Sequence, residues 1–303
     1  MEHIYDMIVI GGGPAGYTAA LYAARAGMDT LVIERLSAGG QMALTDVIDN
    51  YPGFEEGIDG FSLGMKMQAG AERYGAVTEY AEVKSASLEG NIKTVETDSG
   101  IFYAKTVVIA TGANPRALGI EREAELVGRG VHYCAHCDGR FYKDKTVVVV
   151  GGGNSAVSDA LYLTRLAKKV ILVHRRNTLR ATKIYHEPLM QAENVEFLWD
   201  SAVEALIAGD RVEGVKVKNL KTGDLREVAC DGVFISIGRV PVTELFADQL
   251  DLDGAGYIVA DETTKTSLGG VFAVGDVRTK ALRQVITAAA DGAVAAHFAE
   301  EML

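Results

Sequence analysis

The residues best suited to chemistry are two cysteines that stand close together. Cys134 and Cys137 enclose Ala135 and His136, and Asp138 follows directly. This spacing favours a redox dithiol, because a closely spaced thiol pair can cycle between disulfide and dithiol. Asp138 would then carry the proton that a departing thiolate needs.

Two other interpretations of the pair stay open at this point. A zinc site needs four ligands, and His132 and His136 are near, but ligands packed into so short a segment hardly close a tetrahedron. A static disulfide would close almost no loop and is disfavoured in a reducing compartment. Cys230 is distant in sequence and lies in an apolar run, so we interpret it as a small buried hydrophobe.

A glycine-rich turn near the N-terminus predicts a dinucleotide site. Gly11, Gly13 and Gly16 form a GxGxxG pattern between a β-type run, Met7–Ile10, and an Ala-rich helical stretch. The first glycine allows the tight turn, the second lets the backbone approach a pyrophosphate, and the third permits close helix–strand packing. Glu34 ends the next strand, where a carboxylate accepts a hydrogen bond from a ribose 2′-hydroxyl.

The same pattern occurs again 140 residues later. The positions of Gly11, Gly13, Gly16 and Glu34 are taken by Gly151, Gly153, Ala156 and His174. His174 is followed by Arg175 and Arg176, with Arg180 slightly further on. Because guanidinium groups bind a 2′-phosphate that a carboxylate would repel, the second site is predicted to prefer NADPH. The alternative is that these arginines form a solvated face.

Two dinucleotide sites predict an α/β fold with two Rossmann-like (three-layer ββα) domains, and NADPH implies a flavin as hydride acceptor. Two Pro-closed turns, residues 111–115 and 238–241, are the expected crossings between domains. A strand at residues 271–274 and a closing helix over residues 284–302 follow the second crossing. The second domain, residues 116–241, is therefore predicted to be inserted into the first, residues 1–115 and 242–303.

Composition excludes several classes of protein. The 303 residues are 48% hydrophobic and 23% charged, which is ordinary for a globular chain. A net charge of −11 disfavours a nucleic-acid partner, and three cysteines cannot form a secreted disulfide framework. The apolar runs are too short for a membrane span, and little sequence precedes the first of them, so we expect a cytoplasmic protein without a signal peptide.

The ordered set of motifs resembles the low-molecular-weight, bacterial-type thioredoxin reductases, and the resemblance covers essentially the whole chain. The matching segments are Gly11–Gly16, residues 45–47 and 50–54, Thr111–Ala113, Cys134–Asp138, Gly151–Ala156, His174–Arg176 with Arg180 and Ala181, and Gly275–Arg278 leading to Leu282–Val285. One departure is His136, since threonine is commoner there in the family. His136 either tunes a neighbouring thiol or is a tolerated solvent-facing residue.

The resemblance implies a role for each matching position. The residues implied for FAD are Gly11, Gly13, Gly16, Glu34, Gln41, Asn50, Gly112, Asp276, Gln284 and Val285. Those implied for NADPH are Gly153, Asn154, Ser155, His174, Arg175, Arg176 and Arg180. Cys134, Cys137 and Asp138 are the implied catalytic residues, with Cys137 nearer the flavin and no metal ion. The family also implies a homodimer, a domain rotation between half-reactions, and thioredoxin as protein substrate.

The expected function is therefore transfer of electrons from NADPH through FAD and the cysteine pair to thioredoxin. Three alternatives stay open. A same-fold enzyme could use another donor such as reduced ferredoxin, although Arg175 and Arg176 argue against it. A flavin thiol oxidase would pass electrons to oxygen, and a non-catalytic sensor would use flavin only to report nucleotide status.

Overall fold

The computed structural model describes residues 3–45 and 47–303, and the chain divides into two compact units. The first unit comprises Met1–Asn114 and Val240–Leu303, and the second is Pro115–Arg239. The second unit is thus nested within the first along the chain, and both boundaries fall in the Pro-closed turns. Asp46, part of one matching segment, lies outside the described residues.

The first unit is built on a seven-stranded sheet. Its strands, numbered in chain order, are β1 (Ile4–Ile10), β2 (Thr30–Glu34), β3 (Val77–Tyr80), β4 (Val83–Ser87), β5 (Lys93–Thr97), β6 (Ile101–Ile109) and β17 (Val271–Ala273). The order is β3-β2-β1-β6-β5-β4, with β17 also on β6, and only the β4–β5 and β5–β6 pairs are antiparallel. The helices are α1 (Pro14–Arg25), α2 (Gly60–Glu72) and α6 (Val285–Glu300). Short strands β7 (Ala113–Pro115) and β16 (Arg239–Pro241) lie at the unit boundaries.

Small residues and buried apolar residues explain this packing. Met7–Ile10 at the end of β1 are almost fully buried, as expected for a central parallel strand covered on both faces. A Cβ atom added at Gly292 in α6 would lie 2.2 Å from Ala15 O in α1. Only a glycine therefore lets α6 approach so close to the helix that follows the first glycine turn.

The second unit contains a five-stranded parallel sheet in the order β11-β10-β9-β15-β8. These strands are β8 (Val131–His132), β9 (Thr146–Val150), β10 (Lys169–Val173), β11 (Val195–Leu198) and β15 (Gly232–Ile235). A separate antiparallel sheet is formed by β12 (Ser201–Ala208), β13 (Val212–Asn219) and β14 (Leu225–Ala229). The helices are α3 (Ala135–Asp138), α4 (Asn154–Thr164) and α5 (His186–Met190).

The predicted α/β class with two Rossmann-like sheets is confirmed. Each glycine turn connects a buried parallel strand to a helix, and the closing helix begins at Val285, one residue after the predicted start. The antiparallel strands β4, β5 and β12–β14 were not predicted. Within the described residues, no helix combines the length and the apolar character that crossing a membrane requires.

Candidate functional site

The first glycine turn is a tight connection with open space at its middle glycine. A Cβ atom at Gly11 would lie 2.6 Å from Ala110 O, and one at Gly16 only 1.9 Å from Gly11 O. Gly11 also has φ +106°, which favours glycine. At Gly13 an added Cβ would meet no described atom within 4 Å. The turn thus leaves room for a ligand to approach the backbone at Gly13.

The start of α1 suits an anionic ligand. Gly13 is the N-cap, the first turn carries no acidic residue, and no side chain of the described residues caps the helix. Its first N–H groups are therefore free to bind a phosphate. Glu34 lies beside this turn: its Oε2 accepts a hydrogen bond from Gly12 N at 2.7 Å, and its Oε1 accepts one from Leu36 N at 3.0 Å. The remaining lone pairs of this fixed carboxylate fit a ribose hydroxyl.

The second glycine turn repeats this geometry in the second unit. Gly151 has φ +144°, and a Cβ there would lie 2.4 Å from Ser236 O. Gly153, the N-cap of α4, again has no described atom within 4 Å of an added Cβ. A Cβ atom at Gly151 would lie 2.7 Å from the Ala156 Cβ. The alanine at position 156 is therefore tolerated because residue 151 is a glycine.

The acidic position of the first turn is replaced by a buried imidazole in the second. His174 is 5% exposed and packs against Gly152, where an added Cβ would lie 2.4 Å from the ring. Burial, reinforced by the charges of the nearby arginines, lowers the pKa of His174. Its Nε2 is buried and has no hydrogen-bond partner among the described residues. An orphaned donor or acceptor at this place fits a group that contacts a bound nucleotide.

One of the arginines near His174, Arg180, is held beside the glycine turn by its backbone. Arg175, Arg176 and Arg180 are all exposed. Arg180 N donates to Gly152 O at 2.7 Å, and Asn154 Oδ1 accepts a hydrogen bond from Thr182 N at 2.7 Å. These bonds fasten the segment that carries Arg180 to the start of α4. The donor set is cationic, which fits a nucleotide with an additional phosphate.

Cys134 and Cys137 form a disulfide with a Cα–Cα distance of 5.3 Å. Cys134 is the N-cap of α3, and Cys137 lies within its single turn. Both are half-buried, and Asp138 N donates to Cys134 O at 3.1 Å. A bridge that closes so short a loop restricts the unfolded chain little, which gives it a small structural role. The pair at disulfide distance fits a redox-active dithiol.

Asp138 is joined to a buried histidine that sequence reasoning considered only as a zinc ligand. His132 Nδ1 lies 3.0 Å from Asp138 Oδ2, and His132 Nε2 lies 2.6 Å from the Tyr142 hydroxyl. Burial raises the pKa of Tyr142 to about 12, so this hydroxyl keeps its proton at neutral pH. The only sequence signal for His132 was its position just before the cysteine pair.

His136 is exposed to solvent and also has contacts on one side. Its ring stacks on Tyr162 with centroids 4.4 Å apart, and its Nδ1 lies 3.6 Å from Asp159 Oδ1. Asp159 in turn accepts a hydrogen bond from Ser236 Oγ. The side chain is therefore oriented, and an influence of His136 on the thiols stays a prediction.

Several residues predicted to bind FAD are brought together at the start of α6. Asn50 Nδ2 donates to Gln284 Oε1 at 2.9 Å, and Gln284 is the N-cap that precedes Val285. Elsewhere in this unit Gln41 Nε2 donates to Asn114 Oδ1 at 3.0 Å. Two further predicted residues lie at strand ends: Gly112, with φ +71°, follows β6, and Asp276 lies in a short 3₁₀ turn after β17.

A charged cluster beneath α6 was missed by sequence reasoning. Asp291 Oδ1 accepts a hydrogen bond from Arg278 at 2.8 Å, and its Oδ2 accepts one from Lys280 at 2.7 Å. Asp291 Oδ2 also accepts one from Gly275 N at 2.8 Å, which ties α6 to the turn that contains Asp276. Charged residues separated along the sequence gave no signal that they would meet.

Cys230 is buried, as predicted. Burial raises the pKa of its thiol to about 12, so it stays protonated near neutral pH. A protonated, inaccessible thiol is unreactive, which leaves Cys134 and Cys137 as the cysteines able to do redox chemistry.

Comparison with known proteins supports the same interpretation. The profile of the pyridine nucleotide-disulphide oxidoreductase family matches residues 5–292. A protein named thioredoxin reductase from Listeria monocytogenes is 48% identical, with 99% of this chain and 94% of that protein covered. One of the same name from Treponema pallidum is 46% identical, with 99% and 97% covered.

A solved structure agrees with the sequence comparison. The crystal structure of thioredoxin reductase from Streptococcus pyogenes is similar with a TM-score of 0.88 at 45% identity, covering 99% of this chain and 98% of that one. The resemblance inferred from the motifs is thereby confirmed. This chain belongs to the pyridine nucleotide-disulphide oxidoreductase family and, within it, to the thioredoxin reductases.

Proposed function

We propose that this chain is an NADPH-dependent thioredoxin-disulfide reductase. The observation that carries the proposal is the Cys134–Cys137 disulfide in the unit that also holds the arginine-flanked glycine turn. The disulfide, as the proposed electron acceptor, and the glycine turn, as the proposed donor site, then belong to one unit. The full-length match to proteins named thioredoxin reductase supports thioredoxin as the disulfide substrate.

The first unit is the proposed FAD-binding domain. Gly13 and the start of α1 would hold the pyrophosphate, and Glu34 would bind the adenosine ribose. Asp276 would hold the ribityl chain, and Gln284 and Val285 at the start of α6 would face the flavin ring. The open space at Gly13 and the fixed Glu34 carboxylate support this assignment.

The second unit is the proposed NADPH-binding domain. Gly153 would admit the pyrophosphate, with Asn154 and Ser155 at the start of α4, and the arginines at residues 175, 176 and 180 would bind the 2′-phosphate. The unpartnered Nε2 of His174 supports a ligand at this place. A preference for NADPH over NADH is part of the proposal.

The cysteine pair completes the electron path. Bound FAD supplies the step that converts the hydride of NADPH into an electron pair for the disulfide. Opening the Cys134–Cys137 bond consumes two electrons and two protons and leaves two thiols. One thiol, as thiolate, attacks the disulfide of the partner to form a mixed disulfide. The second thiol displaces the partner, which leaves with both protons as a dithiol while the Cys134–Cys137 bond forms again.

Steady-state turnover with cysteine variants tests this function. Cys134→Ser and Cys137→Ser should each abolish NADPH-dependent reduction of thioredoxin, measured with DTNB as the final acceptor. FAD should stay bound and still be reduced by NADPH in both. Cys230→Ser is the matched control and should keep wild-type activity, because that thiol is buried.

The same assay distinguishes the alternatives. A double Cys134→Ser, Cys137→Ser variant that reduces thioredoxin at the wild-type rate would overturn the assignment. Turnover with reduced ferredoxin and none with NADPH would indicate another donor. Oxygen uptake with a dithiol substrate would indicate an oxidase, and flavin reduction without any disulfide turnover would indicate a sensor.

We also propose that the protein acts as a homodimer in the cytoplasm. Large apolar side chains of the first unit are exposed, with Leu36 and Leu44 each 76% and Leu282 56% exposed. These side chains are available to a dimer interface, and the proposal of a homodimer rests on the resemblance to the thioredoxin reductases. A cytoplasmic location suits a dithiol that must return to its reduced state in each cycle.

A further inference from the structure

The feature that carries a further inference is the chain of hydrogen bonds from Asp138 to Tyr142. His132 stands between them, with Nδ1 3.0 Å from the Asp138 carboxylate and Nε2 2.6 Å from the Tyr142 hydroxyl. In a neutral imidazole this arrangement fixes one tautomer, in which Nδ1–H donates to Asp138 and Nε2 accepts from Tyr142. Both nitrogen atoms of the ring are thereby used.

The ring of His132 is fixed by packing as well. It is 6% exposed and stacks on Phe234 with centroids 5.2 Å apart, while the edge contact with Tyr142 has a centroid distance of 5.1 Å. Phe234 is fully buried in β15, and Tyr142 is 2% exposed. An imidazole in such a place costs free energy unless both of its nitrogens are hydrogen-bonded. An apolar side chain could fill this space without that requirement. Packing alone therefore does not explain an imidazole here, whereas its hydrogen bond to Asp138 does.

We propose that His132 is a positioning residue that holds the Asp138 carboxylate ready to exchange a proton with the Cys134–Cys137 dithiol. The inference rests on the proposed function, because it assigns a task to His132 in the thiol–disulfide exchange. A hydrogen bond donated to a carboxylate fixes the direction of its oxygen atoms. The Asp138 carboxylate, held in this direction by His132, takes the proton from the attacking thiol and returns it to the sulfur that leaves.

Among the described residues, the hydrogen bonds that are seen from His132 lead to Asp138 on one side and to Tyr142 on the other. Tyr142 is buried and keeps its proton because burial raises its pKa to about 12, so His132 acts through Asp138. The charges that act on Tyr142 are those of Asp138, Arg211 and Asp231, together with the buried Cys230 thiol. A substitution at His132 leaves Arg211 and Asp231 in place. A change in the rate of proton exchange at the dithiol therefore reports on the lost contact between residue 132 and Asp138.

Two substitutions of similar size separate positioning from packing. In His132→Asn the amide N–H lies near the place of Nδ1–H and can still donate to Asp138. In His132→Gln the amide reaches the place of Nε2, so it contacts Tyr142 and leaves Asp138 without this donor. Both variants bury an amide in place of the ring, and a role in packing alone predicts that they behave alike.

Alkylation of the chemically reduced dithiol by iodoacetamide is the measurement, followed against pH in a Cys230→Ser background. We expect His132→Gln to slow the reaction on the order of tenfold near neutral pH and to move its profile to higher pH. His132→Asn should retain most of the wild-type rate. In an Asp138→Asn background, His132→Gln should have no further effect, because the contact is already lost.

Equal rates for His132→Asn and His132→Gln would overturn the proposal, as would a His132→Gln effect that persists in the Asp138→Asn background. Melting temperatures check that each variant is folded. The alkylation uses neither NADPH nor thioredoxin, so a failure of the proposed function would appear as absent turnover in the wild type and leave this result readable.

Discussion

At the level of single residues, the two glycine turns differ mainly in the residue at the end of the strand that follows each turn. Glu34 presents a carboxylate that is fixed by backbone N–H groups. His174 is buried beside three exposed arginines, and its pKa is lowered. The sequence predicted this difference because the two turns align without a gap. It could not predict that His132 would meet Asp138, since that contact depends on how α3 packs beside β8 and β15.

The arginine pair gives a prediction about nucleotide preference. Arg175→Ala and Arg176→Ala should each raise the KM for NADPH by about tenfold or more, because a hydrogen bond to a charged phosphate contributes about 1.5–3 kcal/mol. The KM for NADH, which has no 2′-phosphate, should change little. Arg165→Ala, an exposed arginine just after α4, is the control. Parallel rises in both KM values would contradict a 2′-phosphate contact.

At the scale of elements, the sequence predicted what has a strong local signature. Gly11–Gly16 and Gly151–Ala156 marked strand, turn and helix, and Thr146–Val150 was predicted with its observed bounds. In the antiparallel β12–β13 pair, two register shifts interrupt the alternation of side chains, which weakens the sequence signal of these strands. The sequence did not predict the charged cluster around Asp291, because the tertiary packing of α6 brings its members together.

The open face of the second glycine turn gives a prediction for Gly153→Ala. Gly153 has φ −89° and no described atom within 4 Å of an added Cβ. The substitution should therefore change the free energy of unfolding by no more than about 1 kcal/mol. The methyl group would occupy the space that the pyrophosphate needs, and the KM for NADPH should rise roughly tenfold to a hundredfold. FAD content should be unchanged. Gly254→Ala, also open but in the first unit, is the control, and an unaltered KM in Gly153→Ala would exclude Gly153 from the site.

The anchor of α6 gives a prediction about stability. Burial alone would raise the pKa of Asp291, but the hydrogen bonds from Arg278 and Lys280 outweigh it and the pKa is lowered. Asp291→Asn should cost about 3–5 kcal/mol in urea unfolding at pH 7, because two buried cations lose their partner. The exposed Asp248→Asn is the control and should change little.

The pH dependence of this effect has a definite sign. A lowered folded-state pKa contributes stability that is complete above the unfolded value of about 3.9 and is lost as pH falls through the folded value. The difference between wild type and Asp291→Asn should therefore shrink as pH falls below about 4. A difference that stays constant or grows on acidification would show that Asp291 is not the stabilising carboxylate.

At the level of the whole molecule, each unit has its own buried core and its own glycine turn, and the chain passes between the units twice. Length and the repeat predicted this number of units.

Assembly was predicted from the family resemblance alone. Sedimentation equilibrium should give about twice the mass of one chain, since closed twofold dimers are the commonest assemblies. A single-chain mass at micromolar concentration would contradict the proposed homodimer.

The claim that electrons pass from NADPH through FAD to the Cys134–Cys137 disulfide can be tested by anaerobic titration with NADPH. Absorbance of the flavin reports reduction, and the double variant Cys134→Ser, Cys137→Ser provides the comparison. The wild type should take up about twice as much NADPH as the double variant before its flavin is fully reduced, because the disulfide accepts a second electron pair. Equal uptake by the two proteins would contradict the claim.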